Sequence, residues 1–594
     1  MTAVADVPEY PSPSIVDSRR LMGANVYSAS PGSVLEVRCD EASASGLLLA
    51  WQSAARTLRE QLGWGDGDVV TRQEAGGASL FMSAPVDVLM TATEVNEQAW
   101  TAAERTARAP TDNVAAPDGL VIARLRELAD GERATRPMLA GVYEAAAMHG
   151  LCVTFDDETC TLGSGTGASS WPLSALPGVE DVPWHALHDV PIALVTGSNG
   201  KTTTTRLLSA MWRAAGRAPG WCCSDGVWLG DRQAEMGDFS GPAGARAVLR
   251  DPCVEAAVLE TARGGMLRRG LAVSRADAAI ITNISADHFG EYGIASERDL
   301  ADAKATVARV LGRRGLLVLN ADDPELVALA SRVGNRVGWF SVSPEHAALD
   351  AHVHRGGNAA TVFDQRLMLH WDHAWHDLGN VNDMPITLRG AAPHNVQNVL
   401  GAALLATAVG VPVDAVRSTL ASFGSSVLDN PGRLQVLYVG GVTVITDYAH
   451  NPDGLGSLCH TALSFSARRR MLVLGQAGNR DDDQLRALVR AAWAVMPFDE
   501  VVVKEMPGLL RGRPRGEMPK VFADELTQLG LSAEQSHIAD SEFAAAQRAL
   551  SLATVGDLVV CPLHAEQAVV LSWFQRLIDA HWRAGSPFPD SVRS

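Results

Sequence analysis

The chain has 594 residues and carries 50 Lys and Arg against 68 Asp and Glu, a formal net charge of −18. With 47% apolar and 20% charged residues it has the composition of a globular protein too long for one core, so roughly two to four domains are expected. The acidic balance argues against nucleic acid as a partner, and no apolar run approaches the length of a membrane span.

In chain order, MTAVADVPEYPSPS is polar and lacks the charged-then-apolar pattern of a signal peptide, so it reads as a loose tail. SVLEVRC (33–39) reads as a strand. SGLLLAWQSAARTLREQLG (45–63) and DGLVIARLRELADG (118–131) carry apolar residues at helical spacing. LGSGTGASSWPLSALPGVEDVP (162–183) is rich in Gly, Ser and Pro and reads as a linker. No nucleotide or metal motif stands in this first part. The eight cysteines are scattered with no CxxC pair, so neither a zinc site nor a disulfide framework is indicated and a reducing cytoplasm fits.

The next stretch, VPIALVTGSNGKTTTTRLLSAMWRAAG (190–216), carries chemistry. Ile192 to Val195 read as a buried parallel strand and Thr202 to Trp212 as a helix. A strand, a glycine turn and a helix N-terminus make an anion site, because backbone N–H groups converge there and the helix dipole favours negative charge. Lys201 would reach the outer phosphates of a nucleotide, and the Thr202 or Thr203 hydroxyl would ligate Mg²⁺. The ordinary phosphate loop has four residues between its glycines; this one, Gly197-Ser198-Asn199-Gly200, has two.

Further strands follow: VEAAVLE, DAAIITNI and GLLVLNADD, alternating with polar or helical stretches as in a doubly wound parallel sheet. Glu260, Asn283, and Asn320 with Asp322 fall at their carboxyl ends, where such sheets bind ligands. DLADAKATVARVLG (299–312) has a helical pattern. From 431 the alternation restarts with VTVITDYAHNP, RRMLVLGQ, FDEVVVKEM and DLVVCPLH, and with the helical DQLRALVRAAWAVM. The fold class expected is α/β: a P-loop-type doubly wound domain over 166–430, a Rossmann-like domain over 431–594, and an extra α+β domain over 1–165.

These motifs together resemble the Mur ligase family of ATP-dependent amide-forming enzymes. The shortened loop Thr196 to Thr203 matches that family's TGTNGKTT. Glu260 in LETARGGML, Asn283 and Asp287-His288 in NISADHFG, Lys304 in DAKATV, NADD at 320–323, HNVQN at 394–398, Pro431-Gly432-Arg433 and DYAHNP at 447–452 follow in the family's order. GDFSGPAGARAVLRDP, RGRPRGE and the N-terminal RRLMGANVYSASPGSVLEV are similar to segments of the cyanophycin synthetases. In that group an ATP-grasp domain lies between the opening segment and the Mur-like part; about 150 residues lie there in this chain, too few to hold one.

The resemblance implies an ATP- and Mg²⁺-dependent cytoplasmic ligase that activates a carboxylate as an acyl phosphate and joins it to an amino acid's amine. The acceptor would be Asp-containing or peptide-like and receive one residue per site. Gly197, Asn199, Gly200, Lys201, Thr202, Thr203, Asn283, Asn395, Asn398, Arg433 and Asp447 would bind the nucleotide. Thr202, Glu260, His288 and Lys304 would hold metal, with Lys304 carbamylated by CO₂, since a bare lysine beside Mg²⁺ would repel it. Lys201, Glu260, His288 and Lys304 would carry the chemistry. Ser224, Asp225, His450, Asn451, Arg511 and Arg513 are candidate substrate contacts, as are Asp238, Ser240 and Arg515; Asp481 to Asp483 would suit a cationic amino acid or form a wet surface. The N-terminal part is expected to bind substrate or build a homo-oligomer interface. Two rivals are an NTP-hydrolysing P-loop switch and a nucleotide-binding scaffold without turnover.

Overall fold

The computed structural model describes residues 13–74, 76–108, 118–286 and 289–589. The expected tail therefore lies outside the described residues over 1–12. From Ser14 the chain is strand. The N-terminal part pairs β1 (Ser14–Leu21), β2 (Gly32–Arg38), β3 (Val69–Glu74) and β4 (Gly77–Ser83) into one antiparallel sheet of order β1-β2-β4-β3. Helices α1 (Glu41–Gln61), α2 (Leu89–Arg108), α3 (Gly119–Thr135) and α4 (Leu139–Met148) share its core, with Trp51, Leu80 and Trp100 buried. Asn96 on α2 is fully buried and fully used. It accepts from Trp51 Nε1 at 2.9 Å and donates to the Leu80 carbonyl at 3.0 Å, so its own amide is satisfied while it ties α1 and α2 to the sheet.

A small antiparallel sheet follows: β5 (Val153–Phe155), β6 (Thr159–Leu162) and β7 (Ser169–Pro172). The stretch read as a linker over 162–183 is thus packed structure. Leu162, Leu173, Leu176, Val182 and Leu187 belong to the N-terminal core, so that core continues past residue 165. Its Gly, Ser and Pro build tight turns, while the leucines and valine between them anchor it.

The central part is built on an eleven-stranded sheet. Its elements are β8 (Ile192–Thr196), α5 (Lys201–Ala214), β9 (Pro219–Cys223), β10 (Gly226–Leu229), β11 (Arg232–Met236), α6 (Pro242–Arg250), β12 (Ala256–Glu260), α7 (Arg263–Arg269) and β13 (Ala276–Ile281). They continue as α8 (Glu297–Lys304), β14 (Leu311–Asn320), α9 (Pro324–Ala330), β15 (Arg336–Ser341), α10 (Ala347–His354), β16 (Ala359–Phe363), β17 (Arg366–Trp371), β18 (Ala374–Asn380), α11 (Pro393–Ala408) and α12 (Val413–Leu420). The order is β11-β10-β9-β12-β8-β13-β14-β15-β16-β17-β18, parallel from β9 to β16 with antiparallel hairpins at both ends. Every residue of β8 is buried, as its unbroken apolar run requires at the centre of a covered sheet. The helix expected over 299–312 ends at Lys304. A 3-10 turn (Ala305–Val310) follows, and Leu311 already pairs with Ala276 of β13, so sheet pairing takes over where the helical pattern would have continued.

The last part holds β19 (Gln435–Val439), β20 (Val442–Asp447), α13 (Pro452–Leu463), β21 (Arg470–Leu474), α14 (Asp482–Val495), β22 (Glu500–Lys504), α15 (Glu517–Gln528), β23 (Ser536–Ala539), α16 (Glu542–Leu552), β24 (Leu558–Pro562) and α17 (Gln567–Asp579). Its sheet order is β19-β20-β24-β21-β22-β23, parallel except for β19. Among the described residues no helix is long and apolar enough to cross a membrane.

One buried ion pair stitches this last sheet together. Lys504 Nζ lies 2.5 Å from Glu542 Oε1 and also donates to the Pro562 carbonyl at 2.5 Å, and both side chains are fully buried. Glu542 in turn accepts the backbone N–H groups of His564, Ala565 and Glu566 at 2.7, 3.0 and 2.6 Å. Removing one partner strands a charge in a dry interior. Glu542→Ala is expected to lose about 3–5 kcal/mol of stability by urea unfolding, and Lys504→Met in the same chain to recover part of it. A variant as stable as the parent would show that the pair is not what holds this corner.

Candidate active site

The glycine turn sits at the centre of the eleven-stranded sheet. β8 ends there between β12 and β13, so the groups after all three strands converge on one crevice. Gly197 has φ of 148° and Gly200 of 82°, and neither place admits a side chain. A Cβ on Gly197 would stand 1.8 Å from Thr282 Oγ1, and one on Gly200 would stand 2.1 Å from Asn398 Oδ1. Asn283 holds the loop from its other side: its Oδ1 accepts Asn199 N–H at 2.9 Å, and its Nδ2 donates to the Asn199 carbonyl at 3.2 Å. Lys201 opens α5 and folds back to donate to the Ser198 carbonyl at 2.8 Å.

From Val399 to Ala406 helix α11 is apolar on every side and buried, which fixes Asn395 and Asn398 in its first turns against the loop. Asn398 Nδ2 donates to Asn395 Oδ1 at 3.0 Å, and Asn395 Nδ2 donates to the Ile386 carbonyl at 2.9 Å. Asn199, Gly200, Lys201, Thr202, Thr203, Asn283, Asn395, Asn398, Arg433 and Asp447 all line one cavity of about 570 Å³. Of the nucleotide residues expected from sequence, Gly197 alone faces elsewhere, into a second cavity of about 840 Å³ on the other side of Lys201. Asp322, expected at a strand end where ligands bind, lines the first cavity too, and so do His394, Gln397 and Asp453, which sequence reasoning gave no role.

Oxygen ligands gather at the start of α5. Thr202 Oγ1 donates to Glu260 Oε2 at 2.8 Å and lies 3.2 Å from Ser224 Oγ. Burial pushes the Glu260 carboxyl up, and Lys201 and Arg433 counter it only in part. A buried carboxylate beside two hydroxyls is a donor set that a hard divalent cation fits, because its charge offsets that desolvation. Among the described residues no group of three or more His, Cys, Asp or Glu surrounds the spot. His288 and Asp287 lie outside the described residues.

Arg433 crosses from the last domain to this point. Its Nη2 donates to Ser224 Oγ at 2.8 Å, lies 3.5 Å from Asp225, and its guanidinium stacks 4.4 Å over the Tyr448 ring. Burial would lower its pKa, but Asp225, Asp447 and Glu260 outweigh that and hold it above the ordinary value. Asp225 is shared with Arg206, 2.7 Å away. Ser224 and Asp225 thus stand at the joint between the domains, and Ser224 also borders the first cavity. Asp447 accepts the Leu434 N–H at 2.6 Å and so shapes the turn that aims Arg433.

The larger cavity is lined by Lys201, Lys304, Asp238, Ser240, His450 and Arg511 from the expected set. Lys304 is buried and donates to the Gly197 carbonyl at 2.7 Å. Sequence reasoning missed Arg263, Arg268 and Arg480, which add positive charge to the same walls. The basic run after Glu260 in LETARGGMLRRG was the signal for the first two.

Two expected substrate contacts are placed otherwise. Asn451 is buried, caps α13, and exchanges amide hydrogen bonds with Asn199 at 2.9 and 3.3 Å, so it latches the phosphate loop to the last domain. Arg513 is paired with Asp482 at 2.8 Å and Glu517 at 2.7 Å and donates to the Arg480 carbonyl, away from both cavities. Arg515 pairs with Glu505. The acidic run is answered within the protein: Asp481 caps α14, Asp482 meets Arg513, and Asp483 meets Arg486.

Comparison with known proteins agrees with this layout. Residues 195–406 match the Mur ligase middle domain, and residues 432–562 match the Mur ligase glutamate ligase domain. The chain is 34% identical to the cyanophycin synthetase of Trichormus variabilis over 399 residues, 67% of this chain and 44% of that one. It is 37% identical to that of Crocosphaera subtropica over 371 residues, 62% of this chain and 42% of that one. It is 26% identical to the UDP-N-acetylmuramoyl-L-alanyl-D-glutamate--2,6-diaminopimelate ligase of Listeria monocytogenes, over 62% of this chain and 71% of that one. The match thus spans less than half the length of these cyanophycin synthetases. Through its middle and C-terminal domains the chain belongs to the Mur ligase family, and there it is homologous to the cyanophycin synthetases.

Proposed function

We propose that the protein is an ATP-dependent amide ligase that joins a carboxylate acceptor to the amine of an amino acid. The observation that carries this reading is the pair of cavities meeting at Lys201, one walled by the phosphate loop and the other by arginines. A nucleotide in the first would present its terminal phosphate toward the second. Glycine N–H groups and Lys201 suit the phosphates, and Asn395 and Asn398 lie at the far wall. Mg²⁺, held by Thr202 and Glu260, would supply charge neutralisation at the phosphates.

In this reading an acceptor carboxylate oxygen attacks the terminal phosphorus and releases ADP. The amine then attacks the carbonyl carbon of the acyl phosphate, expels inorganic phosphate and loses a proton. Lys201 stabilises the transferring oxygens. Arg433 is delivered by the last domain, so charge stabilisation is complete only when the domains meet. Arg263, Arg268, Arg480 and Arg511 suit the carboxylates of the acceptor or of the incoming amino acid. The similarity to cyanophycin synthetases supports an Asp-containing or peptide-like acceptor.

Lys304 fits carbamylation by CO₂ in this reading. A carbamate nitrogen keeps one N–H for the Gly197 carbonyl, while its new oxygens turn a cation into a carboxylate-like group.

Four outcomes are expected. Purified protein with ATP and Mg²⁺ should release ADP only when both a carboxylate acceptor and an amino acid are present. Release that needs neither would favour a hydrolysing switch, and nucleotide binding without turnover would favour a scaffold. Lys201→Ala should lose roughly a hundred- to a thousandfold in turnover with its fold intact by circular dichroism. Bicarbonate-treated protein should show the carbamate mass on the peptide containing Lys304, and Lys304→Ala should be nearly inactive yet partly rescued by small carboxylates. One phosphate loop stands among the described residues, so product mass should stop at one added residue per acceptor site. A ladder of lengthening polymers would refute that.

A further inference from the structure

The N-terminal part lies outside both matched domains, yet it touches the wall of the larger cavity at several points. Helix α7 forms that wall with Arg263, Gly264, Gly265 and Arg268. It has seven residues, two of them glycine, so it has little helical stability of its own. Its last carbonyls are orphans that need outside donors. The N-terminal part supplies them. Met22 N–H donates to the Arg269 carbonyl at 2.8 Å, and Arg19 Nε donates to the Leu267 carbonyl at 3.3 Å. Leu271 N–H returns a bond to the Ala24 carbonyl at 2.8 Å. A guanidinium at the C-terminal pole of a helix also meets the negative end of its dipole.

Arg19 is itself fixed. Asp17 and Glu36 hold it at 2.5 and 2.7 Å, and its side chain is only 9% exposed. Its guanidinium carbon stands 4.9 Å over the ring of Tyr292. The residue before that tyrosine, Glu291, lines the cavity and pairs with Arg263 of α7 at 2.5 Å. One arginine therefore presses on both members of the Arg263–Glu291 pair, through the helix end and through the adjacent ring.

A second arginine, on the opposite edge strand of the same sheet, does the same from the far side. Arg72 on β3 donates to the Gly293 carbonyl at 3.2 Å and pairs with Asp299 in the first turn of α8 at 2.8 Å. Its neighbour Glu74 packs so closely on Gly293 that a Cβ there would stand 2.0 Å from the carboxylate. Helix α8 ends in Lys304, another residue of the cavity.

We propose that Arg19 and Arg72 are positioning residues for the larger cavity: the N-terminal sheet clamps α7 and the 290–299 segment from two edges and so sets Arg263 and Glu291 for substrate. This rests on the reading of that cavity as the place where acceptor and amine bind. The nucleotide cavity has no N-terminal residue in its lining and takes Glu297 alone from the clamped segment, so the larger cavity, lined by α7, Glu291 and Lys304, should respond more strongly.

The test uses the full chain with Arg19→Gln, Arg72→Gln and Arg19→Lys. Hydrogen exchange in residues 263–271 and 289–299 should quicken in both Gln variants, with residues 197–205 unchanged. KM for acceptor and amine should rise about ten- to a hundredfold, while kcat and ATP affinity stay near those of the parent. Arg19→Lys, which keeps the charge at the helix end, should recover part of the loss. Exchange that is unchanged in both segments, or that quickens throughout the chain together with a loss of ATP affinity, would overturn the proposal. A parent chain with no acceptor- and amine-dependent ADP release would overturn the reading of the cavity instead, and the exchange data would still decide whether the clamp exists.

Discussion

Gly200 and Asn398 stand so close that no other residue fits at the turn, and the rest of the nucleotide site follows from that contact. The loop is short, so it cannot wrap a phosphate by its own length. It borrows walls instead: Thr282 against Gly197, Asn398 against Gly200, and Asn283 bonded to both backbone groups of Asn199. Thr282 and Asn283 both follow β13 and Asn398 stands on α11, so the loop is only as rigid as the sheet and helix beneath it. The positive φ of both glycines lets the backbone stay on this path without strain.

Charge then decides how the domains meet. In a chain with a net charge of −18, guanidinium groups are concentrated where the parts join. Asp225 sits between Arg206 of the middle domain and Arg433 of the last one, and Arg433 also reaches Ser224 and Tyr448. A partly desolvated guanidinium with several acceptors is worth more than a surface ion pair, because water screens it less. The Asn199–Asn451 amide exchange adds a neutral latch at the loop itself. The larger cavity lies between these contacts, with walls drawn from the middle and last domains.

Behind the cavity, buried groups hold the loops that line it. The Lys504–Glu542 pair gathers the N–H groups after β24, that of His564 among them, and the His564 ring sets its Nε2 3.1 Å from the Ala449 carbonyl. Burial drives that imidazole well below its ordinary pKa, and the carbonyl of Ala449 faces its Nε2. This fixes the turn after Asp447 that carries Tyr448 and His450 to the cavity.

The sequence by itself determined the order of buried strands, the phosphate loop, and the strand-end polar residues. These are local: an apolar run flanked by glycine or a helix start has one reading in a parallel sheet, as β8, β12, β13, β20 and β24 show. The residues expected at a nucleotide were read from such offsets to a strand or helix end, and all of them but Gly197 line one cavity. Only the tertiary structure decided the rest. It turned the Gly- and Pro-rich stretch after Leu162 into a packed sheet, because a handful of leucines found a core that spacing does not reveal. It paired Arg513, Asn451 and the acidic run 481–483 with groups of the protein itself, partners that lie far along the chain or on a neighbouring turn. It brought Arg19 and Arg72 to α7 and α8 across more than two hundred residues, a contact made by the meeting of two separate cores and written in no local pattern.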